Sequence, residues 1–191
     1  MKRSHQAGRR HKIKVEMQAE IYRKDGTLRK RYPFRRINSL IKQFILLLMV
    51  QAGVTAQTIK NTAGGDVSVA TGASAFRCNA PSGTTTYGPV IGTGTNAVTM
   101  TDYALQTQVT TNIAHALPSF LAENPDASTW RLAITRVFTN NKGVTLDITE
   151  VGLYVLGGAG ASTHCIDRTL YSVSVPNGEN LSLTYRITVT L

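Results

Sequence analysis

Histidines and cysteines, the side chains that most readily bind a transition metal, are few and scattered in this 191-residue chain. Of the four histidines, only His164 has another metal-binding residue beside it, Cys165. Neighbours on a strand point to opposite faces, so these two could not easily hold one ion. There is no CxxC or HExxH spacing, and we predict no metal site and no cofactor. Cys78 and Cys165 could pair, but buried free thiols are the preferred interpretation.

Acid–base and nucleophilic chemistry also lack a recognisable pattern. Asp147 and Glu150 are three residues apart, whereas a retaining glycosidase needs two carboxylates about 5–5.5 Å apart in a cleft. We therefore interpret them as solvated carboxylates at a strand edge. No GxSxG elbow is present, and the Gly-rich run 88–96 lacks the final Gly-Lys-Ser/Thr of a phosphate loop. The sequence predicts that this protein is not an enzyme.

The charge of the chain is concentrated near its N-terminus. Residues 1–43 carry 14 of the 21 Lys and Arg residues and three of the 11 Asp and Glu residues. This segment therefore has a net charge of +11, while residues 44–191 have −1. Such asymmetry is typical of a basic segment that meets nucleic acid or an acidic protein surface.

The densest basic cluster, residues 29–36, places five basic side chains around Tyr32 and Phe34. Basic groups neutralise phosphates and aromatic rings stack on bases, so the cluster could bind nucleic acid. Equally, the rings could pack within a hairpin while the arginines meet acidic side chains of a neighbour. The residues predicted to contact nucleic acid or a partner are Arg3, Arg9, Arg10, Lys12, Arg29, Lys30, Arg31, Tyr32, Phe34, Arg35 and Arg36.

Two elements are predicted to position this cluster. Residues 12–34 alternate apolar and polar side chains about a turn at 24–27, which predicts a β-hairpin too small to be stable alone. Residues 38–52 predict a helix capped by Asn38 or Ser39 and ended by Gly53. Its apolar run of seven residues is far shorter than the roughly 20 that cross a membrane, so no membrane contact is expected. Its predicted assembly contacts are Phe44, Leu47 and Leu48.

The segment 130–155 is predicted to organise the rest of the chain. Apolar residues alternate along 130–134 and again along 144–148, with a turn at 140–143, so we interpret the segment as a second hairpin. After Ile148 the apolar set changes parity to Val151, Leu153 and Val155. This change predicts a β-bulge at 150–152, where Gly152 would ease the backbone.

Many short strand patterns separated by turn residues predict a mainly β protein. The last strand is the clearest, because Leu181, Leu183, Tyr185, Ile187, Val189 and Leu191 share one face. We predict a β-sandwich, of jelly-roll or immunoglobulin-like type, with an N-terminal basic arm, a β-hairpin and one helix. The expected division is 1–53 for the arm, hairpin and helix, which would make assembly contacts, and 54–191 for the sandwich body.

Five short segments together resemble structural proteins of tailed bacteriophages. They are IGTGT (91–95), DYAL (102–105), RVFTNN (136–141), ITEVGLY (148–154) and VPNG (175–178), followed by a Thr-rich terminal strand. Those proteins often show a GTGT…DYAL…FTNN…EVGLY…VP(N/D)G series. The resemblance implies a virion component with a β-sandwich body that is present in repeated copies. It carries over no catalytic residues, and the longer, more basic N-terminus departs from it.

The leading hypothesis is therefore a non-enzymatic structural protein of a virus particle. It would reside in the virion, form homo-oligomers and contact other virion proteins, with its basic arm against neighbouring subunits or packaged DNA. One alternative is a nucleic-acid-binding protein that acts through the arm. Another is a glycan-binding or adhesive sandwich module that uses the Gly/Thr-rich loops.

Overall fold

A computed structural model describes residues 12–37, 40–53, 55–71, 76–157 and 162–190. Within these ranges the chain is mainly β, with eleven strands and one helix. The elements are β1 (Lys12–Tyr22), β2 (Leu28–Ile37), α1 (Lys42–Gln51), β3 (Gln57–Lys60), β4 (Asp66–Val69), β5 (Gly88–Gly92), β6 (Ile113–His115), β7 (Ser119–Asp126), β8 (Thr129–Asn140), β9 (Leu146–Gly157), β10 (Ser162–Val175) and β11 (Asn180–Thr190).

The strands form two facing antiparallel sheets and one small hairpin. The main sheet has the order β2-β1-β11-β8-β6, and β7 also pairs with β8. The second sheet has the order β10-β9-β5, and β3 and β4 form a separate two-stranded hairpin. Side chains of both sheets meet in one core, including Leu183 and Tyr185 from β11 and Val151 and Leu153 from β9. This is the sandwich-like packing that the alternating patterns predicted.

The predicted N-terminal hairpin is present as β1 and β2. Gly26, with a φ of 83°, lies in the turn between them, and β1 continues the main sheet by pairing with β11 from Lys12 to Tyr22. Met17 and Ala19 are fully buried in the main core. The division predicted at residue 53 therefore does not coincide with a boundary between sheets or between cores. The apolar face of the hairpin packs against other parts of the same chain.

Strand β2 is one edge of the main sheet. Among the described strands it pairs only with β1, and the pairing has two register irregularities, between Met17 and Ala19 and between Ile21 and Tyr22. Pro33 lies within the strand and removes one backbone donor. The irregular register and the proline both disfavour the pairing of another strand at this edge.

Helix α1 is shorter than predicted, and Ile41 at its N-cap makes no side-chain capping bond. Asn38 and Ser39, the predicted caps, lie outside the described residues. Gly53 ends the helix with a φ of 74°, as predicted. Leu47 is fully buried in the main core, so its predicted role in assembly contacts is wrong: its own chain already covers it. Leu48 is exposed.

The predicted hairpin at 130–155 is wrong, because its two strands lie in different sheets. Strand β8 pairs with β11, β6 and β7, whereas β9 pairs with β10 and β5. The turn carries the chain across the sandwich, and the Asn140 amide holds it by donating to the carbonyl oxygens of Val144 and Val175, both at 2.8 Å. Facing strands and paired strands show the same alternation of two, so the pattern could not distinguish them.

The parity change in β9 is real, but the predicted bulge is displaced. The register is continuous through 150–152 with both neighbouring strands. An irregularity occurs slightly earlier, between the pairs Leu170–Glu150 and Val173–Ile148, where β10 has the extra residue. Ile148 and Val151 both join the core, while Thr149 and Glu150 both bond to Gly94.

Candidate functional site

The best-defined polar cluster is built around a buried carboxylate. Glu150 on β9 is fully buried. Its Oε1 accepts hydrogen bonds from the backbone N–H groups of Gly94 (3.0 Å) and Thr107 (2.8 Å), and its Oε2 accepts one from Gln106 (3.1 Å). The carboxylate therefore fixes the loop 93–108 to β9.

Arg168 on β10 completes this cluster, and its side chain is only 3% exposed. Its Nε donates to Glu150 Oε2 and its Nη1 to Asp102 Oδ2, both at 2.8 Å, while its Nη2 donates to the Asn96 carbonyl at 2.9 Å. Burial alone would raise the pKa of Asp102, but hydrogen bonds from Thr99 and Arg168 lower it below its usual value. Burial opposes the Arg168 charge, yet the two carboxylates raise the pKa of its guanidinium. A charged, fully paired network results.

The glycines of the GTG segment are required by this carboxylate. A Cβ on Gly92 would lie 2.6 Å from the Thr107 carbonyl oxygen and 2.7 Å from Glu150 Oε1. A Cβ on Gly94 would lie 2.5 Å from the Cβ of Gln106. Real Cβ atoms do not approach other atoms so closely, so each glycine is explained by close approach rather than by flexibility.

The aromatic end of the EVGLY segment fixes the same loop. The Tyr154 hydroxyl accepts a hydrogen bond from the Leu105 N–H at 2.5 Å, and burial raises the pKa of Tyr154 above its usual value. A Cβ on Gly152 would lie 3.0 Å from Leu105 Cδ2 and 3.1 Å from the Asp167 carbonyl oxygen. Three of the five segments behind the sequence resemblance thus meet in one structural network.

One of the two candidate carboxylates lies in the environment that the sequence predicted, and the other does not. Asp147 is exposed, as expected, and accepts a hydrogen bond from the Ser174 hydroxyl at 2.5 Å. Glu150 is not a solvated strand-edge group, because loop 93–108 covers it. The Glu150 oxygens already accept hydrogen bonds from backbone N–H groups and from Arg168, so the carboxylate serves to hold loop 93–108 in place.

A cleft of about 740 Å³ lies beside this network. Tyr103, Gln106 and Arg168 are among the residues that line it, and none of its lining residues is a His, Cys or Lys. The residues described by the structure contain no group of three or more His, Cys, Asp and Glu side chains able to hold a metal ion. Cys78 and Cys165 are free thiols, as predicted, although Cys78 is only half-buried; burial raises the pKa of the Cys165 thiol.

A second buried cation, Arg136 on β8, connects the main sheet to the segment that leads into β5. It is fully buried, and it donates to the carbonyl oxygens of Ala116 (2.9 Å), Tyr87 (3.1 Å), Pro89 (3.1 Å) and Thr84 (2.5 Å). Burial lowers its pKa to about 10, although Tyr87 opposes the shift. Arg136 is therefore charged at neutral pH and serves as an anchor for segment 84–89.

His115 lies beside this anchor and is 2% exposed. Its ring meets the Phe138 ring edge-on, with centroids 5.2 Å apart. Neither ring nitrogen has a hydrogen-bond partner among the described residues. Burial first, and the Arg136 charge second, lower its pKa to about 4. His115 is therefore neutral at pH 7.

The predicted contact cluster on β2 is exposed but partly neutralised within the chain. Arg29 pairs with Glu179 at 2.7 Å, and Arg31 pairs with Glu20 at 2.5 Å. Arg35 and Arg36 make no ion pair with any described carboxylate, and they line a cleft of about 320 Å³ together with Tyr171. Arg35 and Arg36 are therefore the members best placed to meet an anion.

The two aromatic residues of the cluster are already in use. Tyr32 is half-buried against the main core, and the Lys30 ammonium lies 4.5 Å from its ring centroid. The Arg186 guanidinium lies 3.6 Å from the Phe34 ring centroid. These contacts favour packing of the rings over stacking on bases.

The other predicted contact residues are distributed as follows. Arg3, Arg9 and Arg10 lie outside the described residues, and of Lys12 only the backbone, in β1, is described. Phe44 on α1 is half-buried and meets Phe76 edge-on, with centroids 5.9 Å apart. The described members of this predicted contact set therefore lie on β1, β2 and α1.

Sequence reasoning missed the buried ionic groups Glu150, Arg168 and Arg136. A signal was present for Arg136, which occupies the core-facing parity of β8 between Ile134 and Phe138. A charge at a core position normally needs several partners, so it should have indicated an anchor.

Comparison of the chain with known protein families, curated proteins and solved structures found no match. Within the described ranges, no helix is long and apolar enough to cross a membrane.

Proposed function

We propose that this protein is a non-enzymatic structural component of a virus particle, assembled there in multiple copies. The convergence of the GTGT, DYAL and EVGLY segments on Glu150 supports the proposal. Gly94, Leu105 and Tyr154 each have a defined contact in that network. The resemblance to tailed-bacteriophage proteins therefore rests on residues that act together in the fold.

The exposed surface is compatible with assembly. Large apolar side chains are exposed on β7 and β8 at one end of the main sheet, including Phe120 and Trp130, which share a face. On α1, Ile45 and Leu48 are 52% and 47% exposed. Groups of exposed apolar side chains on a folded domain are typical of surfaces that meet other proteins.

The test is to tag the chain in the genome that encodes it and to purify intact particles through a density gradient. Mass spectrometry should then find the chain in washed particles at a fixed number of copies. Imaging of labelled particles should place it at one repeated position. A chain that stays a free monomer and is absent from washed particles contradicts the proposal.

A second candidate, nucleic-acid binding, is favoured by Arg35 and Arg36. Because the hairpin is part of the main sheet, the whole chain is the appropriate binding species. Binding to duplex DNA should weaken with salt, and the double substitution R35Q/R36Q should reduce the slope of log K against log salt by about two. R77Q, at an exposed arginine on another segment, is the control. An unchanged slope in R35Q/R36Q excludes these two arginines as phosphate contacts.

A further inference from the structure

The inner face of the main sheet extends beyond the sheet that covers it. Residues paired in register share a face, so the pairing of β1, β11 and β8 gives successive rows across the sheet. The row of Met17, Tyr185 and Ile134 is buried, with at most 3% exposure.

The side chains of the next rows on the same face are increasingly exposed to solvent. Val15 and Ile187 are half-buried, and Leu132, which pairs with Ile187, is 38% exposed. In the last row Ile13, Val189 and Trp130 are 69%, 41% and 59% exposed.

Strand β7 widens this uncovered area. Phe120 pairs with Ile134 and is 45% exposed, while Ala122 pairs with Leu132. We call the resulting surface the apolar ledge: Ile13, Phe120, Trp130, Leu132 and Val189. It continues the core face of the sheet and carries no charged side chain.

We infer that the apolar ledge is the surface through which a second copy of this chain packs, face to face. Elsewhere in this molecule, the second sheet covers the same apolar face of the main sheet. Sheets packed in this way lie about 10 Å apart. A second copy offers an equal, self-complementary face, as a two-fold interface requires. This inference deepens the proposed assembly role, on which it rests for its biological setting.

The area of the ledge is consistent with this occupant. A large apolar side chain presents roughly 150–250 Å², so the exposed fractions of the five residues leave on the order of 500 Å² uncovered. Two copies would bury about 1,000 Å² in total, the lower bound of a specific interface, before any contribution from Val15 and Ile187.

The N-terminal segment of the same chain is a poor alternative occupant. Residues 1–11 read MKRSHQAGRRH, in which only Met1 and Ala7 have apolar side chains. Such a segment cannot replace the apolar contacts that the ledge needs. A foreign apolar partner remains as a distinguishable outcome of the test.

Trp130 makes the test direct, because it is the only tryptophan of the chain. Sedimentation velocity of the full chain, from micromolar to hundreds of micromolar, should show a monomer–dimer equilibrium. Over the same range Trp130 emission should shift to shorter wavelength, and its quenching by acrylamide should fall. The substitution V189K should raise the dissociation constant by roughly tenfold or more, because it buries an unpaired charge.

The matched control is V144K. Val144 is 64% exposed and lies just beyond the opposite end of β8 from Trp130. It should leave both association and Trp130 emission unchanged, and thermal unfolding should show that both variants fold. Equal dimerisation of V189K and V144K, or a monomer at every concentration, overturns the inference.

Burial of Trp130 only when a different virion protein is added also overturns it, in favour of a foreign partner. If wild type dimerises and V189K does not, the ledge is supported as the dimer surface of the chain in solution, whether or not the chain is found in particles. If V189K is monomeric yet enters particles as wild type does, this dimer is not used in assembly, while the proposed structural role stands.

Discussion

Glu150 and Arg168 form a 2.8 Å ion pair in which the two side chains are 0% and 3% exposed. The pair joins two neighbouring strands of the smaller sheet and, through backbone donors, holds the loop above them. Because water cannot replace either partner, each group depends on the other for its charge to be tolerated.

The first prediction concerns this pair. R168M should lower the free energy of unfolding by about 3–5 kcal/mol, because Glu150 stays buried without its cationic partner. Urea denaturation at neutral pH measures the loss. The control is R31M, which removes an ion pair to Glu20 from a side chain that is 60% exposed and should cost less than about 1 kcal/mol. Equal losses in the two variants would contradict the assigned role of Arg168.

The second prediction concerns the glycine beside the carboxylate. G94A should destabilise the protein by about 1–3 kcal/mol, because its Cβ would overlap Gln106 and Glu150. Hydrogen exchange should show faster opening of loop 93–108. In the control G65A, the added Cβ lies 3.5 Å from Asn61, an ordinary contact, and the change should be within about 0.5 kcal/mol. A stable G94A with a protected loop would refute the close-approach argument.

The third prediction concerns pH. His115 has a pKa of about 4 in the folded protein and 6.5 as its usual value, so the unfolded chain binds its proton first as pH falls. Stability should therefore decrease between pH 6.5 and 4, by about 3 kcal/mol from this residue. Below pH 4 this contribution should level off, and above 6.5 it should vanish.

The variant H115L tests the assignment, because leucine cannot take up a proton. Its stability relative to wild type should rise as the pH is lowered from 8 to 4, as measured by denaturation at each pH. Its difference from wild type at pH 8 reports packing alone. His164, whose pKa burial also lowers, should keep a residual acid dependence. The same slope in H115L and wild type would argue against His115.

The fourth prediction concerns the anchor at the sandwich edge. R136K keeps the charge but cannot reach the four carbonyl groups together, and each such bond contributes about 1.5–3 kcal/mol. We expect a loss of at least one such contribution and faster hydrogen exchange in segment 84–89. The control R131K changes a half-buried arginine on the outer face of the same strand. Unchanged exchange at 84–89 would show that another contact holds this segment.

Alternation of apolar residues predicted the core faces of β1 and β11, where Met17, Ala19, Leu181 and Leu183 are buried but Ile13 and Val189 are exposed. It could not predict which strand lies beside which, so β8 and β9 were interpreted as a hairpin although they face each other across the core. The pattern is set by burial, and burial is equal in the two arrangements.

The candidate site was harder to predict, since buried charges depend on distant partners. Glu150 is bonded by Gly94 and Gln106, which are 56 and 44 residues away. The sequence around Glu150 contains no pattern that predicts these backbone donors. The basic residues of β2 are exposed, but the ion pairs of Arg31 with Glu20 and of Arg29 with Glu179 could not be predicted without the fold.

Strand β2 also disfavours one way in which copies of this protein could associate, the pairing of sheet edges. Its two register irregularities, Pro33 and the like charges of Arg35 and Arg36 disfavour the addition of another strand at that edge. Uncontrolled, fibre-like stacking of sheets side by side is thereby discouraged on that side. An isologous contact through the face of the main sheet, in contrast, closes after two copies.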